Sequence, residues 1–512
     1  MSSPLSSDFL SGISALINAS RTSTTKGLWQ MRAQERKEMT SHLHLQTQSR
    51  GTPITPSAIA AHAQAQDPSR GGDSASSSPS ASPSTPSRST KPSNPFPPIL
   101  PLDSFWSVSL PFDSELSLYD DYVRFDGGVR FERILEDLDA FAGNVAHLHV
   151  KQGTQKLAAE HARKRRERAA SADPNDADAD DSPPVLPDMQ IVTASVDGIV
   201  MNPRRRFPMD KFLAMQGCVT WVGSSSMEIW IEMRVVPDPA AWARMSLQEK
   251  LAVAGKNTRM SSQDKHGAAG KTKTNAAEDD GDSVILNAFF LMVARDTRTQ
   301  KAAFVPPLDV ARMQDQDRAR FERGEASAIR RKREAATSLQ RNPPTPAEIG
   351  LIHSLLMSDD SGGAAVSSNS LSSIERTLKL SASNLEIAPA GAEFQPGAVV
   401  IRPKSVPMLD TEMSSAAMTQ PQDRNTNGKI FGGWLMSRAY ELARCNAYLF
   451  CGANSAPFFI AVDHITFLRP VEIGSIISFR SKVVYSAGHP DTAFQMQVET
   501  LVHDLVGGKV FP

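Results

Sequence analysis

One unit of sequence occurs twice in this 512-residue chain, and that duplication limits the fold more than any other feature. A helical stretch, ILEDLDAFAGNVAHL from Ile134, and a second, WLMSRAYELARCNAYLF from Trp434, are each followed by an alternating apolar strand. The strand reads IVTASVDGIVM in the first copy and FFIAVDHITFLRPV in the second. Aligning Gly127 on Gly428 sets an offset of 301 (428 − 127), and aligning Asp197 on Asp463 sets 266 (463 − 197). The two offsets differ by 35, about the length of a charged insertion in the first copy. Each strand is followed by more period-two sequence, GCVTWVGSSSMEIWIEM and VILNAFFLMVARD in one copy, SIISFRSKVVYS and TAFQMQVETLV in the other. A helix first and an antiparallel meander after it, with no βαβ alternation, specify the α+β class: a long helix wrapped by a curved sheet, twice.

Composition divides the remainder. Residues 1–98 are rich in Ser, Pro, Thr, Gln and Ala and lack the apolar mass to offset their ordering entropy, so a disordered N-terminal region is expected. The first copy is expected over 99–310, with low-complexity insertions at about 151–186, where HARKRRER abuts DPNDADADD, and at 237–283. Residues 311–395 begin charged and helix-prone, are interrupted by NPPTP, and form a helical linker; the second copy fills 396–512.

A net charge of −1 supplies no long-range field to gather nucleic acid. The longest apolar run, residues 284–294, is far short of the roughly 20 residues that span a bilayer. Cys218, Cys445 and Cys451 lie in no CxxC or Cys/His spacing, which points to a reducing compartment and no bound metal.

In the first helix, Leu135, Leu138, Ala142 and Val145 form an apolar stripe, and Asp139 stands on it. Its neighbours Glu136 and Asp137 point elsewhere and are expected to be solvated. A carboxylate on a packing face is costly unless bonded or used, and an Asp that stays ionised in a cleft serves as general base or nucleophile; the alternative is a cap or an ion pair. In the second copy RNTNGKIFGGW precedes the helix, and Gly432 and Gly433 open it. Bare amides at a helix start hold negative charge and let a ligand carbonyl approach, although paired glycines also serve plain close packing. Under the offset of 301, Asp139 falls on Tyr440, Gly432 and Gly433 fall on Phe131 and Glu132, and Asn425 falls on Arg124. Each copy keeps what the other has lost. Such halves predict one composite site between the copies, and an inactive second one facing Tyr440 and Arg124.

The runs NTNGKIFGGWLMSRAYELA and APFFIAVDHITFLRPVEIGS resemble hotdog-fold acyl-CoA thioesterases, whose pattern is NxxGxx[HF]GG before the central helix and VDxIxF after it. With VRFxRILEDLDAFAG and IVTASVDGI in the first copy, the chain resembles the mitochondrial double-hotdog group, the acyl-CoA thioesterase 9-like proteins, over roughly 102–295 and 396–505. The resemblance implies tandem hotdog domains, an acyl-CoA substrate, hydrolysis without metal or redox cofactor, and a homo-oligomer that is a trimer of pseudo-dimers. It implies that Asp139 and Asn425 are catalytic: Asn425 holds the attacking water or the carbonyl, while Asp139 takes the water's proton or attacks directly. The thioester carbonyl is then expected at the amides of Gly432 and Gly433.

Phe431 stands where many relatives carry His. Asp197 and Asp463, in the two VDxI strands, are read as structural, bonding a helix terminus. The second copy ends at LVHDLVGGKVFP with no match for VILNAFFLMVARD, so its last strand is expected to be missing and the sequence truncated. The first 50 residues contain only Asp8, Glu35 and Glu38 as acids, a loose transit-peptide composition; mitochondrial location follows mainly from the resemblance. Two other readings compete: a non-catalytic acyl-CoA-binding or scaffold protein on the same frame, and a dehydratase. The latter wants a His beside its carboxylate, a pattern that His147, His149 and His464 do not make. Arg204 to Arg206 form a short basic run that is not assigned to CoA phosphates.

Overall fold

In a computed structural model the two copies fold as two helices laid against antiparallel sheets, the α+β arrangement expected from the repeat and the hotdog frame implied by the resemblance. The structure describes residues 94–171, 189–202, 206–254, 284–338, 342–359, 406–425, 428–452, 456–486, 492–503 and 510–511. The expected disordered region up to residue 93, and parts of both insertions and of the linker, lie outside them. Every element below belongs to one compact unit containing Pro95–Pro512.

The first copy comprises α1 (Pro101–Ser104), β1 (Trp106–Pro111), α2 (Leu116–Tyr122), the 41-residue α3 (Phe131–Ser171), β2 (Met189–Met201), β3 (Phe212–Val222), β4 (Ser226–Val235), α4 (Pro239–Arg244), α5 (Leu247–Val253) and β5 (Val284–Asp296). Between the copies run α6 (Asp315–Thr337) and α7 (Pro346–Asp359). The second copy comprises β6 (Met413–Met418), α8 (Gly432–Cys451), β7 (Ala461–Val462), β8 (Ile465–Thr466), β9 (Ile476–Ser486), β10 (Phe494–His503) and β11 (Val510–Phe511).

The first sheet has the order β1-β3-β4-β5-β2-β7, with β8 also on β2. The second copy's counterparts of β2 therefore bond to β2 itself, Val462 opposite Ile199 and Thr466 opposite Ser195, and this joint carries one copy into the other. The second sheet runs β11-β10-β9-β6. Where the first copy sets the 13-residue β5 beside β4, the second sets only the two residues of β11 beside β10 among the described residues.

Both central helices begin after the same turn. The Arg124 amide donates to Gly128 at 2.8 Å and the Gly127 amide to Arg124 at 3.0 Å; Asn425 with Lys429, and Gly428 with Asn425, repeat this at 2.6 and 3.2 Å. Gly127 and Gly428 have φ of +77° and +73°, a region glycine enters without steric cost, so the offset of 301 is a geometric equivalence. The buried face of α3, from Ile134 through Leu138, Phe141 and Val145 to Leu148, fills the core against the sheet, with Phe141 stacked on Trp106 at 5.1 Å.

Strand β2 changes face twice. Thr193 pairs with Met292 and Ser195 with Leu291, then Val196 with Phe290 and Gly198 with Phe289, so Ala194 and Asp197 are extra residues in two single-residue bulges. Ile191, Thr193, Val196, Ile199 and Met201 consequently face α3, while Asp197 is turned to the outer face. There α6 is docked: Arg320 stacks on Trp230 at 4.2 Å and donates to the Ala254 carbonyl, Arg323 pairs with Glu228 at 3.1 Å, and Arg331 pairs with Asp197. Burial pushes the Glu228 carboxyl above its usual range, and the two arginines oppose that shift.

Four expectations are corrected here. Residues 151–171 are not a low-complexity insertion but a continuation of α3, anchored by Lys156 on Asp103 at 2.7 Å. The stretch from 237 opens with two helices, α4 burying Trp242 and α5 capped reciprocally by Ser246 and Glu249, a local cap that its charged composition hid. Asp197 bonds an arginine in the body of a helix, not a helix terminus. Asp137 is buried and accepts from the Tyr122 hydroxyl at 2.5 Å, because α2 folds over that side of α3.

One buried group sets an acid limit on the fold. His149 on α3 is fully buried, and one ring nitrogen lies 2.8 Å from the Pro306 carbonyl, so that nitrogen is the protonated one and donates. The other, Nδ1, has no partner among the described residues, and burial pushes the ring down to about 4. The neutral ring therefore contributes its stability above the unfolded value of about 6.5, and that contribution is lost as pH falls toward 4. Between pH 7 and pH 5 the loss should be about 2 kcal/mol, and His149→Gln should flatten it. Thermal unfolding at both pH values checks this; equal slopes in the two proteins would show that His149 does not set the limit.

Candidate functional site

The start of α8 meets the first helix at Asp139. The side chain is buried, Oδ2 accepts from the Gly433 amide at 2.6 Å, and Oδ1 accepts from the Thr193 hydroxyl at 2.6 Å. A carboxylate from one copy thus sits on the positive end of the central helix of the other, where unpaired amides attract negative charge. Glycine is required by distance. A Cβ on Gly433 would come within 2.4 Å of the Phe431 ring and 2.9 Å of the Glu136 Cα, and one on Gly432 within 3.0 Å of Asp139 Oδ2 and 3.4 Å of the Phe467 ring. The expectation that both glycine amides stand open to a ligand carbonyl is therefore modified: Asp139 occupies the amide of Gly433.

The structure brings Asp139, Gly432 and Gly433 together. Asn425 lies in the turn ahead of α8, where its Oδ1 accepts from the Lys429 amide at 3.1 Å and braces the loop leading to the two glycines. Thr193 escaped the sequence reading, since a lone threonine on a half-buried strand has no distinguishing pattern. The signal was available in the repeat, for the offset of 266 sets Thr193 against Phe459.

The equivalent place on the other side of the pseudo-twofold is filled with rings. Phe131, Tyr440 and Phe459, the counterparts of Gly432, Asp139 and Thr193, form a cluster with centroids 4.5 to 5.4 Å apart. Burial pushes the Tyr440 phenol up. Glu132, in the place of Gly433, lies 3.7 Å from Arg444. Arg124, in the place of Asn425, is paired with Asp126, whose carboxyl it draws down to about 2.

His147, His149 and His464 are engaged with the Gly143 carbonyl, the Pro306 carbonyl and the Thr466 hydroxyl. Asp463 accepts from Gln495 at 2.9 Å. Burial holds the Cys218 thiol up at about 12, a protonated core group. Arg206 is exposed, while Arg204 and Arg205 lie outside the described residues. Among the described residues no group of three His, Cys, Asp or Glu is gathered as a metal would need, and no helix is long and apolar enough to cross a membrane.

No family model matches the chain. It is similar to mitochondrial acyl-coenzyme A thioesterase 9 of Mus musculus, 28% identical over 410 residues that cover 80% of this chain and 69% of that protein. The Homo sapiens thioesterase 9 is 29% identical over 390 residues, covering 76% and 65%. The acyl-CoA thioester hydrolase YciA of Escherichia coli is 36% identical over 88 residues, 16% of this chain and 58% of that one. The chain spans about two thirds of the length of the thioesterase 9 relatives. Among solved structures, an acyl-CoA hydrolase from Staphylococcus aureus matches with a TM-score of 0.28 at 14% identity, over 51% of this chain and 99% of that one.

The distances at the two glycines separate their roles. Gly433→Ala sets a methyl against the backbone of α3, forces the helices apart, and should cost about 1–3 kcal/mol. Gly432→Ala presses on a carboxylate tip and a ring edge, which can yield, and should cost clearly less. Denaturant unfolding of both variants checks this, and equal losses would contradict a backbone-tight crossing at Gly433.

Proposed function

We propose that this chain, similar over about four fifths of its length to mitochondrial acyl-CoA thioesterase 9, hydrolyses fatty acyl-CoA to free acid and CoA at one composite site between its two hotdog halves. The observation that carries the reading is the bond from the Gly433 amide of one copy to the Asp139 carboxylate of the other. Thr193 and Gly433 each hold one oxygen of Asp139, which fixes the carboxylate's plane. In the proposed reaction Asp139 takes a proton from a water molecule as that water's oxygen bonds to the thioester carbonyl carbon. The carbonyl oxygen gains charge and is held at the helix start by the Gly432 amide, because the Gly433 amide is taken by Asp139. The C–S bond then breaks as the carbonyl re-forms, and the CoA thiolate leaves with the proton that Asp139 had taken, which restores the carboxylate. Asn425 Nδ2 donates to the water or to the carbonyl. General-base assistance of this kind is worth about 10²–10⁴ in rate.

The aromatic cluster of Phe131, Tyr440 and Phe459 supports a single site per chain. The names of the relatives support a mitochondrial location, and assembly as a trimer of pseudo-dimers is carried by the resemblance.

Release of free CoA thiol from short to long acyl-CoAs, compared between the native chain and Asp139→Asn, tests the reading. Turnover should fall roughly a hundredfold or more in a variant that unfolds at the same temperature. A native chain that binds acyl-CoA without releasing thiol would favour the binding or scaffold reading, and unchanged turnover in Asp139→Asn would move the chemistry elsewhere.

A further inference from the structure

We propose that Arg331, on the helix between the two copies, is a positioning residue for Asp139: its ion pair with Asp197 fixes the twice-bulged stretch of β2 from which Thr193 reaches that carboxylate. The inference rests on the hydrolytic reading above.

The helix α6 lies outside both repeats and is spread over the outer face of the first sheet by Arg320, Arg323 and Arg331. Of these, Arg331 is the one paired with β2. Asp197 is the extra residue of the second bulge; its Oδ1 accepts from Ser195 at 3.3 Å, and its Oδ2 takes Arg331. A bulge is where a ladder is least determined, since the extra residue has no cross-strand partner. Here the charged pair supplies that determination. Without Arg331 the buried Asp197 carboxylate loses its hydrogen-bonded countercharge and keeps only the more distant Arg323, and the strand can relieve it by taking up the bulge residue. A one-residue slip reverses the faces of a strand, so Thr193, four residues away, would turn from α3 toward the outside.

The second copy provides an internal comparison. Gln495 pairs with Tyr485 beside a bulge in β9, as Glu228 pairs with Trp221 beside one in β3, so Gln495 is the counterpart of Glu228. The neutral amide of Gln495 donates to Asp463 at 2.9 Å, and Phe459, not a hydroxyl, stands where Thr193 would be. The arginine pair is found on the copy whose strand serves Asp139.

Steady-state kinetics of five variants tests this. Arg331→Met should lower kcat about tenfold or more with KM within about twofold, and Arg331→Lys should recover most of the loss. Arg320→Met, which loosens the same helix at Trp230, should lower the unfolding temperature but leave kcat unchanged. Thr193→Val combined with Arg331→Met should be no slower than Thr193→Val alone, because both remove one device. Equal kcat losses in Arg331→Met and Arg320→Met, or additive losses in the double variant, would overturn the proposal. Hydrogen exchange over residues 189–202 reads the clasp without turnover: faster exchange in Arg331→Met is expected, and unchanged protection sinks the clasp even if thiol release is seen. A native chain without turnover but with this exchange response would fail the hydrolytic reading alone, leaving a strand clasp with no catalytic role.

Discussion

The backbone of Glu136 passes so close to Gly433 that no side chain fits between the two central helices there. Much of the molecule follows from this approach. Because the helices meet without intervening side chains, a residue as short as aspartate reaches from one to the amide of the other. The buried charge is then met by one helix-end amide and a hydroxyl, which avoids the several kcal/mol that an unpaired carboxylate would cost. The joint at β2, β7 and β8 holds the two copies in the register that keeps this meeting aligned.

Strand β2 connects that meeting to the outer surface. A regular strand alternates strictly and would send both Thr193 and Asp197 to the same face. The bulge at Ala194 breaks the parity between them, so one side chain serves the helix within and the other the helix without, and the bulge at Asp197 restores it for Ile199 and Met201. The outer helix and the inner one therefore bond to the same short stretch of strand.

The repeat carried most of the fold in readable form. Gly127 and Gly428 are equivalent because both sit at a left-handed position of the same turn, which glycine adopts without steric cost. The opposition of Asp139 to Gly432 and Gly433 was legible for a different reason: each departs from its counterpart in a direction that packing alone does not favour. What stayed hidden had local chemistry that mimics solvent exposure. The arginines of α6 and the charged end of α3 read as surface, yet long side chains lay their stems and planar heads on aromatic rings and carboxylates. Asp137 read as solvated because the hydroxyl it bonds comes from α2, distant in pattern if near in sequence. Thr193 had no periodic signature and needed the second offset to stand out.

The aromatic cluster of Phe131, Tyr440 and Phe459 has a consequence for inheritance. In a dimer of identical chains, every substitution is made at both symmetric places at once, so a phenylalanine where a glycine must be would close both. Joining the copies in one chain removes that constraint. One side is then free to accumulate bulk and gain buried apolar surface, while the other keeps its glycines, its carboxylate and its hydroxyl. The fused chain can therefore adjust rigidity and reactivity at separate codons, which two identical subunits can never do.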